Sequence, residues 1–260
     1  GVQCYTSLQG CARALESLAD YSAFLELRAA DSMLQDVEVP TLPARPEVFT
    51  EWSAAPYLAA LGIAVPEARL AQNADEAVAA AAALTGPVAL KAQSPDLPHK
   101  AAAGGVVLGV EEDWAVRRAY EQVTSLPENI ALEGVLVQKM APKGIEMIAG
   151  IAHDETFGSL VMVGFGGSDV EVERDVAWAP VPFGTVRALA LIRSLRGAAR
   201  LEGGARPADI GALARLLAVL SLFAQHNRDS IAELDLNPLV LYEQGDGLMA
   251  LDALIVTKES

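Results

Sequence analysis

Between Pro87 and Leu108 the chain runs apolar, turns polar and cationic, and runs apolar again. Pro87-Val88-Ala89-Leu90 reads as a buried strand, and Lys91 ends it. A polar, Pro-containing loop follows, carrying His99 and Lys100. After Gly104-Gly105 the chain returns as Val106-Val107-Leu108. A strand, a cationic loop with paired glycines and a return strand make a clamp for phosphates. Glycines let backbone approach a ligand closely, and lysines supply the positive charge. The G-x-x-x-x-G-K-[ST] pattern is absent, so this is not a Walker A loop.

The lysines sharpen that reading. The chain carries a net charge of −15, which disfavours binding to duplex nucleic acid, where a basic face is the usual footprint. Its lysines are Lys91, Lys100, Lys139, Lys143 and Lys258, so all but one fall between residues 91 and 143. An acidic chain that confines its lysines to one segment points to an anionic ligand there.

A length of 260 residues allows one large domain or two tightly packed small ones. Apolar residues make up 52% but aromatics only 5%, so Ala, Val and Leu must fill the core. No apolar run approaches the ~18 residues of a membrane span, and no signal-peptide pattern opens the chain. Cys4 and Cys11 are too few for a disulfide framework, and the expected setting is the reduced cytoplasm.

Val2 to Tyr5 resembles the end of a strand. Thr6 or Ser7 caps a helix striped by Ala14, Leu15, Leu18, Tyr21 and Leu25. Residues 31–47 lose periodicity and hold Pro40, Pro43 and Pro46, a linker pattern. Residues 1–30 therefore read as the last strand and helix of a preceding domain. Residues 48–130 alternate helix and strand: a helix to Gly62, a short strand at Ile63–Pro66, and an Ala-rich helix capped by Asn73. The central strand and a helix over 111–123 follow. Residues 131–260 form a second, β-rich unit. Gly134–Met140 is a strand with Gly144–Ile151 as its hairpin partner, and Phe157–Val163 is a third. Two helices lead to closing strands at Ile231–Leu241 and Leu248–Val256, joined by a turn at 244–247.

Asn237 and Asp252 each interrupt an apolar surround on these closing strands. A buried Asp or Asn needs a partner. A carboxylate and an amide oxygen on neighbouring strands suit Mg²⁺, which fills its shell with phosphates and water. A structural hydrogen-bonded pair fits the pattern equally well. Glu146 reads by default as part of a solvated face, and His99 as a surface histidine.

Several motifs, taken in order, resemble the ATP-grasp domain of the NDP-forming acyl-CoA synthetases. This group includes ADP-forming acetate–CoA ligase and is related to succinyl-CoA synthetase β chains. The matching text is GIAVP from Gly62, VALKAQSPDLPHKAAAGGVVLGV, and EGVLVQKMAPKGIEMIAGIAHDETFGSLVMVGFGG with VEVERDV. It closes with IAELDLNPLVLYEQGDGLMALDALIV. The resemblance runs from about Phe49 to Val256. It implies an α/β (α+β) ATP-grasp fold, with two α/β subdomains clamping the nucleotide, and ATP/ADP with Mg²⁺ as cofactors. By resemblance, Lys91 contacts the phosphates, while Lys100 with Gly104-Gly105 forms a mobile phosphate-covering loop. Gln138, Lys139 and Met140 form the hinge strand whose backbone reads adenine, and Glu146 helps hold the nucleotide. Asn237 and Asp252 match the Mg²⁺ ligands. His99 takes the place of a histidine that carries phosphate, and with Lys100 it makes the catalytic pair.

The implied reaction converts a carboxylic acid, CoA and ATP into acyl-CoA, ADP and phosphate through acyl phosphate and phosphohistidine. The implied partners are CoA-binding and CoA-ligase domains of the same or another chain, with a homo-oligomer left open. No nucleic acid or membrane partner is expected. The sequence departs from the family at Ala101-Ala102, where Ser-Asp usually follows His-Lys, and at Ala179, where an arginine is common. Two alternatives therefore stand: a nucleotide-sensing domain with weakened catalysis, and an ATP-grasp carboxylate ligase acting on an amine.

Overall fold

Sheet partnership decides the architecture. The computed structural model describes residues 7–35, 37–97, 100–127, 130–167, 175–203 and 206–258. Strands β2 (Ala68–Ala71), β3 (Val88–Gln93), β4 (Val106–Val110) and β5 (Gly134–Lys139) form a four-stranded antiparallel sheet in the order β2-β5-β3-β4. All six residues of β3 are buried. Val88 and Leu90 join Val135 and Val137 in a core beneath two helices, α3 (Ala74–Leu84) and α4 (Asp113–Thr124). The two-residue period of a strand puts Ala89, Lys91 and Gln93 on the opposite face. Alanines of α3 let that helix lie close to the sheet, and Asn73 Oδ1 caps it by accepting from the Glu76 N–H at 2.9 Å.

A seven-stranded sheet forms the larger lobe. Its strands are β1 (Glu47–Phe49), β6 (Ile145–Asp154), β7 (Gly158–Phe165), β8 (Val176–Pro180), β9 (Ile231–Leu241), β10 (Leu248–Ala250) and β11 (Ala253–Thr257). They run β1-β11-β9-β6-β7-β8, with β10 extending beside β9. Helix α2 (Glu51–Ala60) packs on β11, and α5 (Thr185–Arg193) and α7 (Ile210–His226) cover β7. A four-residue helix, α6 (Ala199–Glu202), lies between them in sequence. The core of this lobe joins Leu58, Met147, Val163, Leu217, Phe223 and Leu236.

The linker residues dock onto this lobe. Leu42 N–H donates to Asn227 Oδ1 at 2.7 Å, and Thr41 pairs with His226 at 2.8 Å. Asp31 accepts from Gly184 N–H at 2.7 Å at the start of α5. Helix α1 (Leu8–Ala30), capped by Ser7, has no buried residue and meets α5 where Arg187 lies over Phe24. The expected strand at Val2–Tyr5 lies outside the described residues.

Four expectations are corrected. Gly144–Ile151 does not pair with Gly134–Met140. The first belongs to β6, between β7 and β9, and the second is β5 of the other sheet. The chain therefore changes lobe between Met140 and Gly144, not at residue 131, and residues 47–63 belong with the larger lobe. Ile63–Pro66 is not a strand, because Ile63 N–H closes the end of α2 on Leu58 O and Ala64 O receives Ala250 N–H. The last strand breaks at Leu251-Asp252, opposite Asn237-Pro238, where Leu251 N–H turns to Pro238 O.

Candidate functional site

The two lobes face each other across a cleft of about 960 Å³. One wall is the open face of the four-stranded sheet and the loop after β3. The other is β9 and the broken strand at Leu251-Asp252. The crossing segment from Lys139 to Gly144 closes one end. Gly144 is required there, since a Cβ would stand 2.6 Å from Val240 Cγ1 and 2.7 Å from Leu241 O.

At the floor four charged side chains converge. Lys91 Nζ donates to Glu51 Oε1 at 2.9 Å and to Leu251 O at 2.5 Å. Lys100 Nζ donates to Glu51 Oε2 at 3.0 Å and to Asp252 Oδ1 at 2.6 Å. Gln138 Nε2 donates to Glu51 Oε1 at 2.5 Å. Glu51, Lys91 and Lys100 are buried, each with a side chain no more than 8% exposed, while Asp252 is 27% exposed toward the cleft. Burial raises the Glu51 pKa, but the charges of Lys91 and Lys100 outweigh it and hold the carboxyl below its ordinary value. Burial works against the Lys100 ammonium, and the two carboxylates reverse this, so its pKa is raised. Asp252 goes up to about 6, pushed by burial and by Glu51 against the pull of the lysines.

The other expected residues fall into three groups. Lys139, Met140 and Glu146 line the cleft by the crossing. The N–H groups of Lys139 and Met140 donate to Glu67 O and Pro87 O at 2.9 and 3.0 Å, so these two amides are already committed within the protein. Gly104 and Gly105 do not line the cleft; they shape the loop that does. Gly105 N–H donates to Lys100 O, and Gly105 O accepts from Ala92 N–H, both at 2.8 Å. Gly104 sits at φ +77°. Asn237 lines the cleft one strand from Asp252, and its N–H points to Asp252 O at 3.3 Å. His99 lies outside the described residues. Of the departures, Ala101 and Ala102 face the cleft, whereas Ala179 is buried in the larger core, paired with Val161.

Glu51 is the residue that sequence reasoning missed. An acidic residue in the first turn of a helix ordinarily answers the helix dipole from the surface. Only the tertiary packing of α2 shows that it is buried.

The Asp252 carboxylate and the Asn237 amide at the cleft are hard oxygen donors. They suit a Mg²⁺ that arrives with a nucleotide and completes its shell from phosphates and water. Among the described residues no group of three or more His, Cys, Asp or Glu could hold a metal by itself. No described helix is long and apolar enough to cross a membrane.

Comparison with known proteins defines the class. Residues 40–257 match the model of an ATP-grasp domain family. The chain is 38% identical over 264 residues to a trans-feruloyl-CoA synthase of an unknown prokaryotic organism, covering 99% of this chain and 37% of that protein. It thus spans a little over a third of that relative. It is 34% identical over 216 residues to the beta subunit of ADP-forming acetate–CoA ligase II of Pyrococcus furiosus, covering 81% of this chain and 92% of the subunit. Among solved structures, a dinucleotide-forming acetyl-coenzyme A synthetase 1 of Candidatus Korarchaeum cryptofilum, in complex with coenzyme A and Ca-AMPCP, superposes with a TM-score of 0.76 at 34% identity. That match covers 82% of this chain and 94% of that one. The same archaeal protein is also known with Mg-AMPPCP and a phosphohistidine segment pointing towards the nucleotide-binding site.

The chain is an ATP-grasp domain. Within that class it belongs to the family of ADP-forming acid–CoA ligases, as the portion equivalent to their beta subunit.

Proposed function

We propose that this chain binds Mg-ATP between its lobes and supplies the nucleotide end of an acid–CoA ligase. One observation carries the reading: two buried ammonium groups and two carboxylates, Glu51 and Asp252, meet on the floor of a cleft between two lobes. Lys91 and Lys100 neutralise the polyphosphate, and the crossing strand from Gln138 to Met140, with Ala141, lies against the base. Glu146 flanks the nucleotide. Asn237 and Asp252 would hold Mg²⁺, which offsets phosphate charge when bound.

A carboxylate is a poor acyl donor and must first become an acyl phosphate. A nitrogen of His99 takes the γ-phosphoryl in line: the N–P bond forms, the bond to the bridging oxygen breaks, and ADP leaves. Passing that phosphoryl to the acid and exchanging it for CoA falls to CoA-binding and CoA-ligase domains of the same or a partner chain. The complete reaction is carboxylic acid + CoA + ATP giving acyl-CoA + ADP + phosphate, in the cytoplasm. The weakened, nucleotide-sensing reading rests on Ala101-Ala102 at the cleft.

Mg-ATP at millimolar concentration is expected to raise the melting temperature, and Lys91→Met to abolish that rise. Absence of any shift in the wild type sinks the nucleotide-site reading. Acid- and CoA-dependent ADP release by the full-length protein separates ligase from sensor.

A further inference from the structure

Glu51 carries a buried carboxylate that none of the roles above uses. It begins α2, in the larger lobe, yet its side-chain partners all come from the smaller one. They are Lys91 on β3, Lys100 on the following loop and Gln138 on β5. Its two oxygens divide the work. Oε1 accepts from Lys91 and Gln138, and Oε2 accepts from Lys100 and, at 3.2 Å, from Lys91 again.

An ammonium has three N–H donors. Lys91 directs donors to Glu51 and Leu251 O, and Lys100 directs donors to Glu51 and Asp252. Lys100 therefore keeps one donor for the cleft that both line, whereas Lys91 reaches a ligand there by turning away its longer, 3.2 Å contact to Glu51 Oε2. Both nitrogens stand within 3.2 Å of one carboxylate, so that group fixes their separation and direction. A lysine free in solution samples many rotamers, and fixing it before the ligand arrives removes that cost from binding. The carboxylate also screens two like charges that would otherwise repel in a low-dielectric pocket. The Gln138 amide holds the carboxylate in turn.

We propose that Glu51 is the positioning residue of the phosphate site, holding Lys91 and Lys100 side by side for the polyphosphate tail of a nucleoside triphosphate. This rests on the Mg-ATP reading. It adds a residue that does not touch the ligand but sets the geometry of the two that do.

The test is calorimetric titration of Mg-ATP and, separately, of AMP, which lacks the β and γ phosphates. Glu51→Gln keeps the shape and removes the charge. Glu51→Asp keeps the charge but is one methylene too short to serve both lysines. Each is expected to weaken Mg-ATP about tenfold or more, the usual effect of removing an outer-shell partner, while AMP affinity stays within about twofold. In a Lys100→Met background, Glu51→Gln is expected to cost Mg-ATP affinity less than it does in the wild type, because one of the two groups it positions is gone.

Mg-ATP binding at wild-type strength in either folded variant overturns the proposal. Equal losses for Mg-ATP and AMP also overturn it, since they mark a scaffold role alone. If Glu51→Gln fails to fold, Glu51→Asp carries the same comparison. A wild-type protein that does not bind Mg-ATP sinks the nucleotide reading and this proposal with it, and is seen before any variant is measured.

Discussion

Replacing Lys91 with Met tests the charge cluster without any ligand. Two carboxylates, Glu51 and Asp252, and two ammonium groups, Lys91 and Lys100, balance at neutral pH. Methionine fills much of the lysine volume but leaves one net negative charge, centred on a Glu51 side chain that is 7% exposed. Removing one partner of a buried ion pair costs about 3–5 kcal/mol. Lys100 and Gln138 still hold Glu51, so the low end, about 3 kcal/mol, applies. For a protein of this size that is a fall in melting temperature of roughly 6–12 °C. Adding Glu51→Gln restores neutrality and leaves Lys100 paired with Asp252 at 2.6 Å. The double variant is therefore expected to recover part of the loss, with a coupling of about 1–3 kcal/mol in a double-mutant cycle. Thermal melts of the four proteins at pH 7.5, followed by circular dichroism, give the answer. A Lys91→Met protein melting within about 2 °C of wild type would refute the reasoning. So would a double variant as unstable as the sum of the singles.

Two further outcomes follow from single contacts. Asp252→Asn should shrink the stabilisation by Mg-ATP to nearly that of ATP in EDTA, measured by melting with and without the metal; an unchanged metal dependence removes Asp252 from the metal site. Asp209 caps α7 through the Ala212 N–H at 2.9 Å and also accepts from Gly245 and Gly247. Burial raises its pKa, but the three amides outweigh it and the value is lowered. A carboxyl lowered in the folded state stabilises above its ordinary pKa, and that stability is lost as pH falls through the lowered value. Asp209→Ala should thus cost about 1–2 kcal/mol at pH 7, with the gap to wild type closing toward pH 3. A gap of constant size across that range would contradict the assignment.

The stretch from Pro87 to Leu108 was legible because its chemistry is local. An apolar run, a lysine at its end, paired glycines and a return run need no distant partner to be read. Ile231–Leu241 was equally plain, and β9 has those bounds. What failed was partnership. The strands at 134–139 and 145–154 both look like strands, and nothing in their apolar pattern tells which sheet each joins. A hairpin was the economical reading, whereas Pro142 and Gly144 sit in a crossing between lobes. The break at Leu251-Asp252 was hidden because the residues around it are apolar throughout. Glu51 was hidden for the same kind of reason: its burial is imposed by residues 40 and more positions away.

The confinement of the lysines now has a further physical meaning. The smaller lobe supplies the donors of the floor cluster, Lys91, Lys100 and Gln138, while the larger lobe supplies the acceptors, Glu51, Leu251 O and Asp252. The hydrophobic cores of the two lobes are separate clusters. Across the floor, then, the lobes are joined by charge-assisted hydrogen bonds rather than by shared apolar packing. Such bonds are directional and strong when shielded from water. Opening the seam without a ligand would part Glu51 from Lys91, Lys100 and Gln138 together, so these bonds are lost as a set. On the proposed nucleotide reading, a polyphosphate would offer the ammonium groups new acceptors in the same place, and the groups proposed to recognise it would also be those that hold the lobes in register before it arrives. That economy gives a reason for an acidic chain to set two of its five lysines, Lys91 and Lys100, on one wall of one cleft.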